Sequence, residues 1–161
     1  MKQQTFSDLE YANRREKTRR ESFLDTMNRL IPWEEWLDFI RPYYYSGRKG
    51  RKPRDPEAML RMYLLQKWFS LSDTGTEEAV SDSYAMRSFL GINFMEEQTP
   101  DATTLRRFRH FMKKYGLEEK IEEELSGILA EHRASIKPGS IVNPRIIRRT
   151  AAKAGTEDAA M

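Results

Sequence analysis

One segment, residues 56–71, constrains the fold of this chain more than any other part of its sequence. Asp55-Pro56 is a favourable pair for the N-cap and first position of a helix. The apolar residues that follow lie on almost every side of that helix: Met59, Leu60, Met62, Tyr63, Leu64, Leu65, Trp68 and Phe69. A helix that is apolar nearly all round must be buried. The sequence therefore predicts a central helix enclosed by the others.

The remaining apolar residues mostly recur at three- and four-residue spacing, which predicts further helices. Ser7 and Glu10 have the spacing of a capping box, so we expect one helix from there to about Leu30. Other helices are expected at about 33–40, 102–115 and 117–133, and a short one is expected to begin at Thr76. The next piece contains Tyr84 to Leu90 and is stopped by Gly91, with a loop at 41–54 and a turn at 72–75. The predicted fold class is all-α: a compact multi-helix domain over 5–135, with 136–161 as an irregular tail.

Composition excludes several classes of protein. The 161 residues contain no Cys, which excludes disulfides, thiolate metal sites and a cysteine nucleophile. Only two His are present, and neither lies in a zinc or Ser-His motif. No apolar run approaches the ~20 residues of a membrane span, and the first residues do not resemble a signal peptide. We expect a cytoplasmic protein without membrane contact; its net charge of +3 is mildly basic.

Two basic clusters lie in the first third of the chain. The N-terminal cluster occupies a stretch without any apolar residue and consists of Arg14, Arg15, Lys17, Arg19 and Arg20. The loop cluster lies between Arg41 and Arg54, where no acidic residue intervenes, and consists of Arg48, Lys49, Arg51, Lys52 and Arg54. Clustered Lys and Arg typically contact phosphates. The alternatives are a solvated helix end for the first cluster and a flexible solvated loop for the second.

A third basic group follows Pro100-Asp101 and is called the helical cluster. Its basic residues share one face of the predicted helix or flank it, and its hydroxyls lie in the first turn: Arg106, Arg107, Arg109, His110, Lys113, Thr103 and Thr104. The opposite stripe, including Phe111 and Tyr115, is expected to be buried. Such a helix after a turn is typical of the recognition helix of a DNA-binding helix-turn-helix motif, although the connection from Gly91 to Pro100 is long for that motif. The alternative is an amphipathic surface helix. The glutamates at 118–124 are expected to form a solvated face directed away from DNA.

Several stretches match a known family in order and spacing. They include Gly50-Arg51-Lys52-Pro53, Gln66-Lys67-Trp68-Phe69-Ser70 and, most distinctively, Pro100-Asp101-Ala102-Thr103-Thr104-Leu105-Arg106-Arg107-Phe108-Arg109. Over about residues 5–142 the chain resembles the N-terminal part of bacterial transposases of the insertion-sequence 5 group. The resemblance implies a helical module that binds DNA and dimerises, followed in full-length relatives by a ribonuclease-H-like domain with an Asp-Asp-Glu triad and Mg²⁺.

The chain departs from that family where the first catalytic Asp would stand. The corresponding segment reads Ile141-Val142-Asn143-Pro144-Arg145, and an amide is a poorer Mg²⁺ ligand than a carboxylate. With 136–161 expected to be the truncated start of the catalytic domain, no catalytic residue, metal site or cofactor is predicted in this chain. We expect a truncated or frameshifted transposase.

The resemblance and the basic clusters together predict binding of double-stranded DNA at the terminal inverted repeats of a transposon. We expect a homo-oligomer, or a mixed oligomer with full-length transposase. Two alternatives remain open: a DNA-binding regulator or repressor of transposition, and a helical protein-interaction module whose basic face binds an acidic protein. An active nuclease is disfavoured by Asn143.

Overall fold

The computed structural model of the protein describes residues 5–12, 16–45, 50, 53–93 and 95–132. This part of the chain contains eight α-helices and no strand: α1 (Phe6–Ala12), α2 (Arg19–Leu30), α3 (Trp33–Tyr44), α4 (Pro56–Trp68), α5 (Asp73–Asp82), α6 (Tyr84–Leu90), α7 (Ala102–Lys114) and α8 (Leu117–Glu131). The predicted all-α class is confirmed. The boundary near residue 135 and the tail at 136–161, including Asn143, lie outside the described residues.

The helix α4 is the centre of the fold, as its composition predicts. Ten of its thirteen residues are buried, and α3, α5, α6 and α7 pack directly against it. Phe23 of α2 meets the ring of Trp68 edge-on, with centroids 5.2 Å apart. The outer helices also pack on one another in the order α2, α6, α5, α7, α8 and α3. They therefore enclose α4 on all its sides.

Arg61 joins α4 to three of the helices around it. Its guanidinium donates to Glu57 on the preceding turn at 3.1 Å, to the Asn28 side chain of α2 at 2.8 Å and to the carbonyl of Phe89 in α6 at 2.9 Å. It also lies 3.9 Å from the centroid of the Trp33 ring in α3. Burial lowers the pKa of Arg61 from its ordinary value, and the bonds to Glu57 oppose that shift.

Lys67, near the end of α4, is held by two carboxylates of α8. Its ammonium donates to Glu118 at 2.5 Å and to Glu122 at 2.9 Å. Burial alone would lower the pKa of Lys67, but the bond to Glu118 and the other contacts outweigh burial and raise it. Glu118 and Glu122, which were expected to belong to a solvated face, therefore bind α8 to α4.

The single helix expected from Ser7 to Leu30 is wrong, because two helices occupy that range. The capping box lies two residues earlier than expected: the Thr5 hydroxyl accepts from the Asp8 amide at 3.2 Å, and the Asp8 carboxylate accepts from the Thr5 amide at 2.7 Å. Thr18 caps α2 by accepting from the Glu21 amide at 3.2 Å. A second N-cap inside an apolar-free stretch therefore starts a new helix.

Two other expected boundaries are also wrong. The loop expected from residue 41 begins only after Tyr44, because α3 continues through Pro42. Tyr44 is buried against the rings of Phe108 and Phe111, so packing outweighs the unfavourable proline. The turn expected at 72–75 is the start of α5, where the Ser72 hydroxyl accepts from the Gly75 amide at 2.9 Å.

No helix in the described part of the chain has both the length and the apolar character needed to cross a membrane.

Replacing Lys67 by Ala is expected to lower the free energy of unfolding by about 1–3 kcal/mol, because two partly buried carboxylates then lose their shared donor. Urea denaturation followed by circular dichroism measures the change. Lys113→Ala, at an exposed position of α7, is the matched control and should change stability by less than about 0.5 kcal/mol. Equal effects of the two substitutions would contradict this assignment.

Candidate nucleic-acid interface

The helix that carries the helical cluster is fixed by local caps at both ends. The Asp101 carboxylate accepts from the Thr104 amide at 2.7 Å, which satisfies one of the free donors of the first turn. Gly116 ends α7 with a φ of 67°, a left-handed conformation that favours glycine. Leu105, Phe108 and Met112 point into the core. The predicted Pro100-Asp101 start and Gly116 end are confirmed.

The opposite face of α7 is basic and exposed. The helix has five Lys and Arg and no acidic residue. Helical periodicity places His110 and Lys114 at the centre of this face, with Arg106 and Lys113 towards α5 and Arg107 towards the 53–55 segment. All five side chains are exposed. Within the described residues, no ion pair engages Arg106, Arg107 or Lys113. We call these five residues the α7 face.

Carboxylates of the protein itself occupy the N-terminus of α7. Glu77 of α5 accepts from the Ala102 amide at 3.0 Å, while Asp101 holds the amide of Thr104. Helix N-termini attract anions because their amides are free, but here two of those amides are already bonded. Thr103 is exposed and Thr104 half-buried. A phosphate at this turn would face two carboxylates, which disfavours the first-turn phosphate contact that a helix-turn-helix would make.

Arg109 points away from the α7 face and joins α7 to α5. Its guanidinium forms an ion pair with Asp73 and lies 3.4 Å from the side-chain oxygen of Gln66. Gln66 in turn donates to Asp73 at 2.7 Å. The Arg109 bond is the main reason that the pKa of Asp73 is lowered from its ordinary value. Arg109 therefore has internal partners that the exposed residues of α7 lack.

Arg54 is the one member of the loop cluster that lies within the described residues. Its guanidinium donates to the carbonyl of Gln98 at 2.8 Å, and its own carbonyl accepts from the Tyr44 hydroxyl at 2.5 Å. The Thr104 amide lowers the pKa of Asp101, and the charges of Arg107 and Arg54 add to the shift. Arg54 therefore lies close to the start of α7. The other members, Arg48, Lys49, Arg51 and Lys52, lie outside the described residues.

The N-terminal cluster lies on a different part of the fold. Arg14 and Arg15 lie outside the described residues. Lys17 forms an ion pair with Asp25 at 2.6 Å, Arg20 lies 5.2 Å from the centroid of the Phe69 ring, and Arg19 is exposed. Because α2 packs on α6 while α7 packs on α4, α5 and α8, these residues are not part of the surface around α7.

The tyrosines near α7 differ from their predicted positions. Tyr115, which was expected in the buried stripe, is 38 % exposed. Its ring stacks on Tyr43 with centroids 4.7 Å apart and an angle of 26°. Tyr44, expected in an open loop, is buried. The stripe therefore ends at Met112, since the chain turns at Tyr115 towards α8.

The glutamates of α8 divide into two groups. Glu118 and Glu122 hold Lys67, whereas Glu119, Glu123 and Glu124 are exposed. Among the described residues, no group of three His, Asp or Glu side chains is placed to hold a metal ion.

Sequence reasoning missed the two acidic residues of α5 that shape this surface. Asp73 lies 36 positions from its partner Arg109, and Glu77 lies 25 positions from Ala102. No local pattern connects positions so far apart. The sequence signal for this pair was its spacing in α5, where Asp73 and Glu77 are four residues apart and so share one face of the helix.

Comparison with known families identifies a transposase domain. The family described as Transposase domain (DUF772) matches residues 12–111, which include α2 to α6 and most of α7. No solved structure matches the chain significantly.

Replacing Asp101 by Ala is expected to reduce stability by about 1 kcal/mol, because α7 loses its N-cap. The lowered pKa of Asp101 means that its ionised form stabilises the fold. This contribution is complete above the ordinary aspartate pKa of about 3.9 and disappears as pH falls through the lower folded value. Urea midpoints of the two proteins should therefore differ near neutral pH and converge in acid. The exposed Asp82→Ala is the control, and an unchanged midpoint for Asp101→Ala would contradict the cap.

Replacing Arg109 by Ala is expected to cost about 1–3 kcal/mol, because Asp73 loses its charged donor. A double-mutant cycle with Asp73→Ala should give a coupling energy of about 1 kcal/mol, measured by urea denaturation. Arg106→Ala, three residues away on the α7 face, should leave stability almost unchanged. Coupling near zero would show that the ion pair does not contribute.

Proposed function

Because the chain belongs to the transposase-domain family DUF772, we propose that it acts in DNA transposition as a binding domain for double-stranded DNA, with the α7 face as its main contact. The specific target in this proposal is the terminal inverted repeat of the element. The observation that carries it is the α7 face, where four Lys and Arg side chains and His110 are exposed on a helix without an acidic residue. Phosphates attract such a surface strongly, since each contact releases counterions.

The neighbouring charges support one direction of approach. Asp73, Glu77 and Asp101 lie along the α5 side and the start of α7, so a polyanion is repelled there unless a basic residue compensates. Arg54 and Arg107 lie beside Asp101 on the side of the 53–55 segment, and their charges compensate that carboxylate. We therefore place the DNA backbone along Arg107 and Lys114, with Arg106, His110 and Lys113 directed at the groove. Arg is the residue that most often reads guanine edges.

The proposal assigns different roles within the predicted site. Arg106, Arg107, His110 and Lys113 contact DNA, and Arg54 adds charge beside them. Arg109 positions α7 through Asp73 rather than contacting DNA. Arg48, Lys49, Arg51 and Lys52 add four basic residues to the sequence between Tyr45 and Arg54. Strand cleavage and Mg²⁺ are not part of the proposal, since Asn143 stands where the resemblance would place the first catalytic carboxylate.

Self-association belongs to the proposal as a homo-oligomer or a mixed oligomer with a full-length transposase. Two inverted repeats per element supply the reason, because a dimer presents the same surface to each of two related sites. Sedimentation of the chain alone and with a repeat duplex measures the stoichiometry.

A gel-shift titration at two salt concentrations tests the binding proposal. One duplex carries the inverted repeat that flanks the gene, and the other carries the same bases in scrambled order. We expect tighter, salt-sensitive binding to the repeat. Arg106→Ala should cost about 1–3 kcal/mol and reduce the preference for the repeat. Arg107→Ala should weaken both probes and lower the salt slope by about 0.9.

The matched control is Arg29→Ala, an exposed arginine at the end of α2, which should bind both probes like the unmodified chain. Equal affinity for both probes would reject repeat recognition and leave only electrostatic attraction. A footprint away from the repeat would favour a repressor. Failure to bind either duplex would reject DNA binding and favour a module that binds an acidic protein.

A further inference from the structure

The strongest feature left unexplained by duplex binding is a pair of stacked tyrosines on the surface. Tyr43 is in the last turn of α3 and Tyr115 directly follows α7. Their side chains are 44 % and 38 % exposed, although large aromatic rings are usually placed where they bury most of their area. In this near-parallel stack each ring covers one face of the other, and the exposed fractions show that part of each ring still reaches solvent.

The stack packs against aromatic residues of the core. Phe111 meets Tyr115 edge-on, with centroids 5.3 Å apart, and Phe111 also packs on buried Tyr44 at 5.6 Å. Tyr44 is anchored by its hydroxyl to the carbonyl of Arg54. The pair is therefore preorganised, and a ligand that stacks on it loses little of its binding energy to ordering these rings.

The charges around the stack favour a nucleic acid over a protein. The ammonium of Lys114 lies 5.2 Å from the centroid of the Tyr115 ring, and Lys113 precedes it, so the stack continues the C-terminal end of the α7 face. The next helix, α8, follows Tyr115 in the chain and carries exposed glutamates that repel phosphate. A nucleobase is uncharged and planar, so it can occupy this border where a phosphate cannot. A protein partner at this border would need charges of both signs to match its two sides, whereas a base needs none.

We infer that the Tyr43–Tyr115 stack binds an unpaired base of DNA, next to duplex held by the α7 face. The inference rests on the proposed function, because the α7 face must bring the DNA to this position. Stacking on aromatic side chains tolerates every base, since each has a planar face. The expected ligand is therefore a duplex with a frayed or single-stranded end, without strong base preference at the unpaired position.

The test compares a blunt duplex with the same duplex carrying a short single-stranded extension, by fluorescence anisotropy with the full chain. We expect the extension to raise affinity by about five-fold or more. Tyr115→Leu and Tyr43→Leu should each remove most of this gain while binding the blunt duplex unchanged. The matched control is Tyr45→Leu, since Tyr45 is 52 % exposed but lies edge-on to Tyr44 outside the stack. It should keep the gain.

A second readout needs no variant and so does not depend on whether the substituted chains fold. A 2-aminopurine in the extension should lose fluorescence when the chain binds, whereas one inside the duplex should not.

No gain from the extension, with normal binding of the blunt duplex, would overturn the inference and leave the proposed function intact. Loss of self-association in Tyr115→Leu, seen by sedimentation without DNA, would also overturn it. Failure of the chain to bind any duplex would overturn the proposed function instead.

Discussion

The burial of α4 on every side is the constraint on which the other helices depend. Ten buried residues of one helix need neighbours in all directions, so the outer helices have to form a ring around it. Two partly exposed cations of α4 then bind the surrounding helices. Arg61 forms hydrogen bonds to α2 and α6 and lies over the Trp33 ring of α3, and Lys67 bonds to α8, so four of the surrounding helices contact a cation of α4. Such bonds are directional and fix the orientation of helices that apolar contact alone would leave free to slide.

The ring explains why α7 has a free basic surface. Its inner stripe packs on α4, its flanks pack on α5 and α8, and the remaining sector faces solvent. Carboxylates in the first turns of α5 are used inside the fold: Asp73 binds Arg109 and Glu77 binds the amide of Ala102. The bond to Glu77 occupies a free amide at the N-terminus of α7. The ion pair with Asp73 holds the Arg109 side chain away from the exposed face of the helix. What stays exposed is cationic along the middle and the C-terminal half of the helix, and the proposed interface follows from that division.

Much of this architecture was predictable from the sequence because it is encoded locally. The apolar residues of 56–71 require burial, Asp101 has the position of an N-cap, and Gly116 can adopt the positive φ that ends α7. The missed starts of α2 and α5 depend on local caps, at Thr18 and Ser72, whereas the other errors involve contacts between distant positions. Pro42 stays helical because Tyr44 packs on Phe108 and Phe111, and the partners of Arg109 and Ala102 lie 36 and 25 positions away. The basic face of α7 could be predicted, but which of its residues remain exposed could not.

The distribution of charge matters more for the proposed interface than its total. A net charge of +3 in 161 residues would create only a weak attraction for DNA if it were spread evenly. The structure separates the signs instead, because α7 has five basic and no acidic residues whereas α8 has six glutamates and one lysine. The two helices are joined at Gly116, so a cationic and an anionic surface meet at Tyr115. A polyanion is attracted by one side of this border and repelled by the other, which orients it on α7 even without base contacts. The tyrosine stack lies at that border, where an uncharged base is the part of a nucleic acid that both sides tolerate.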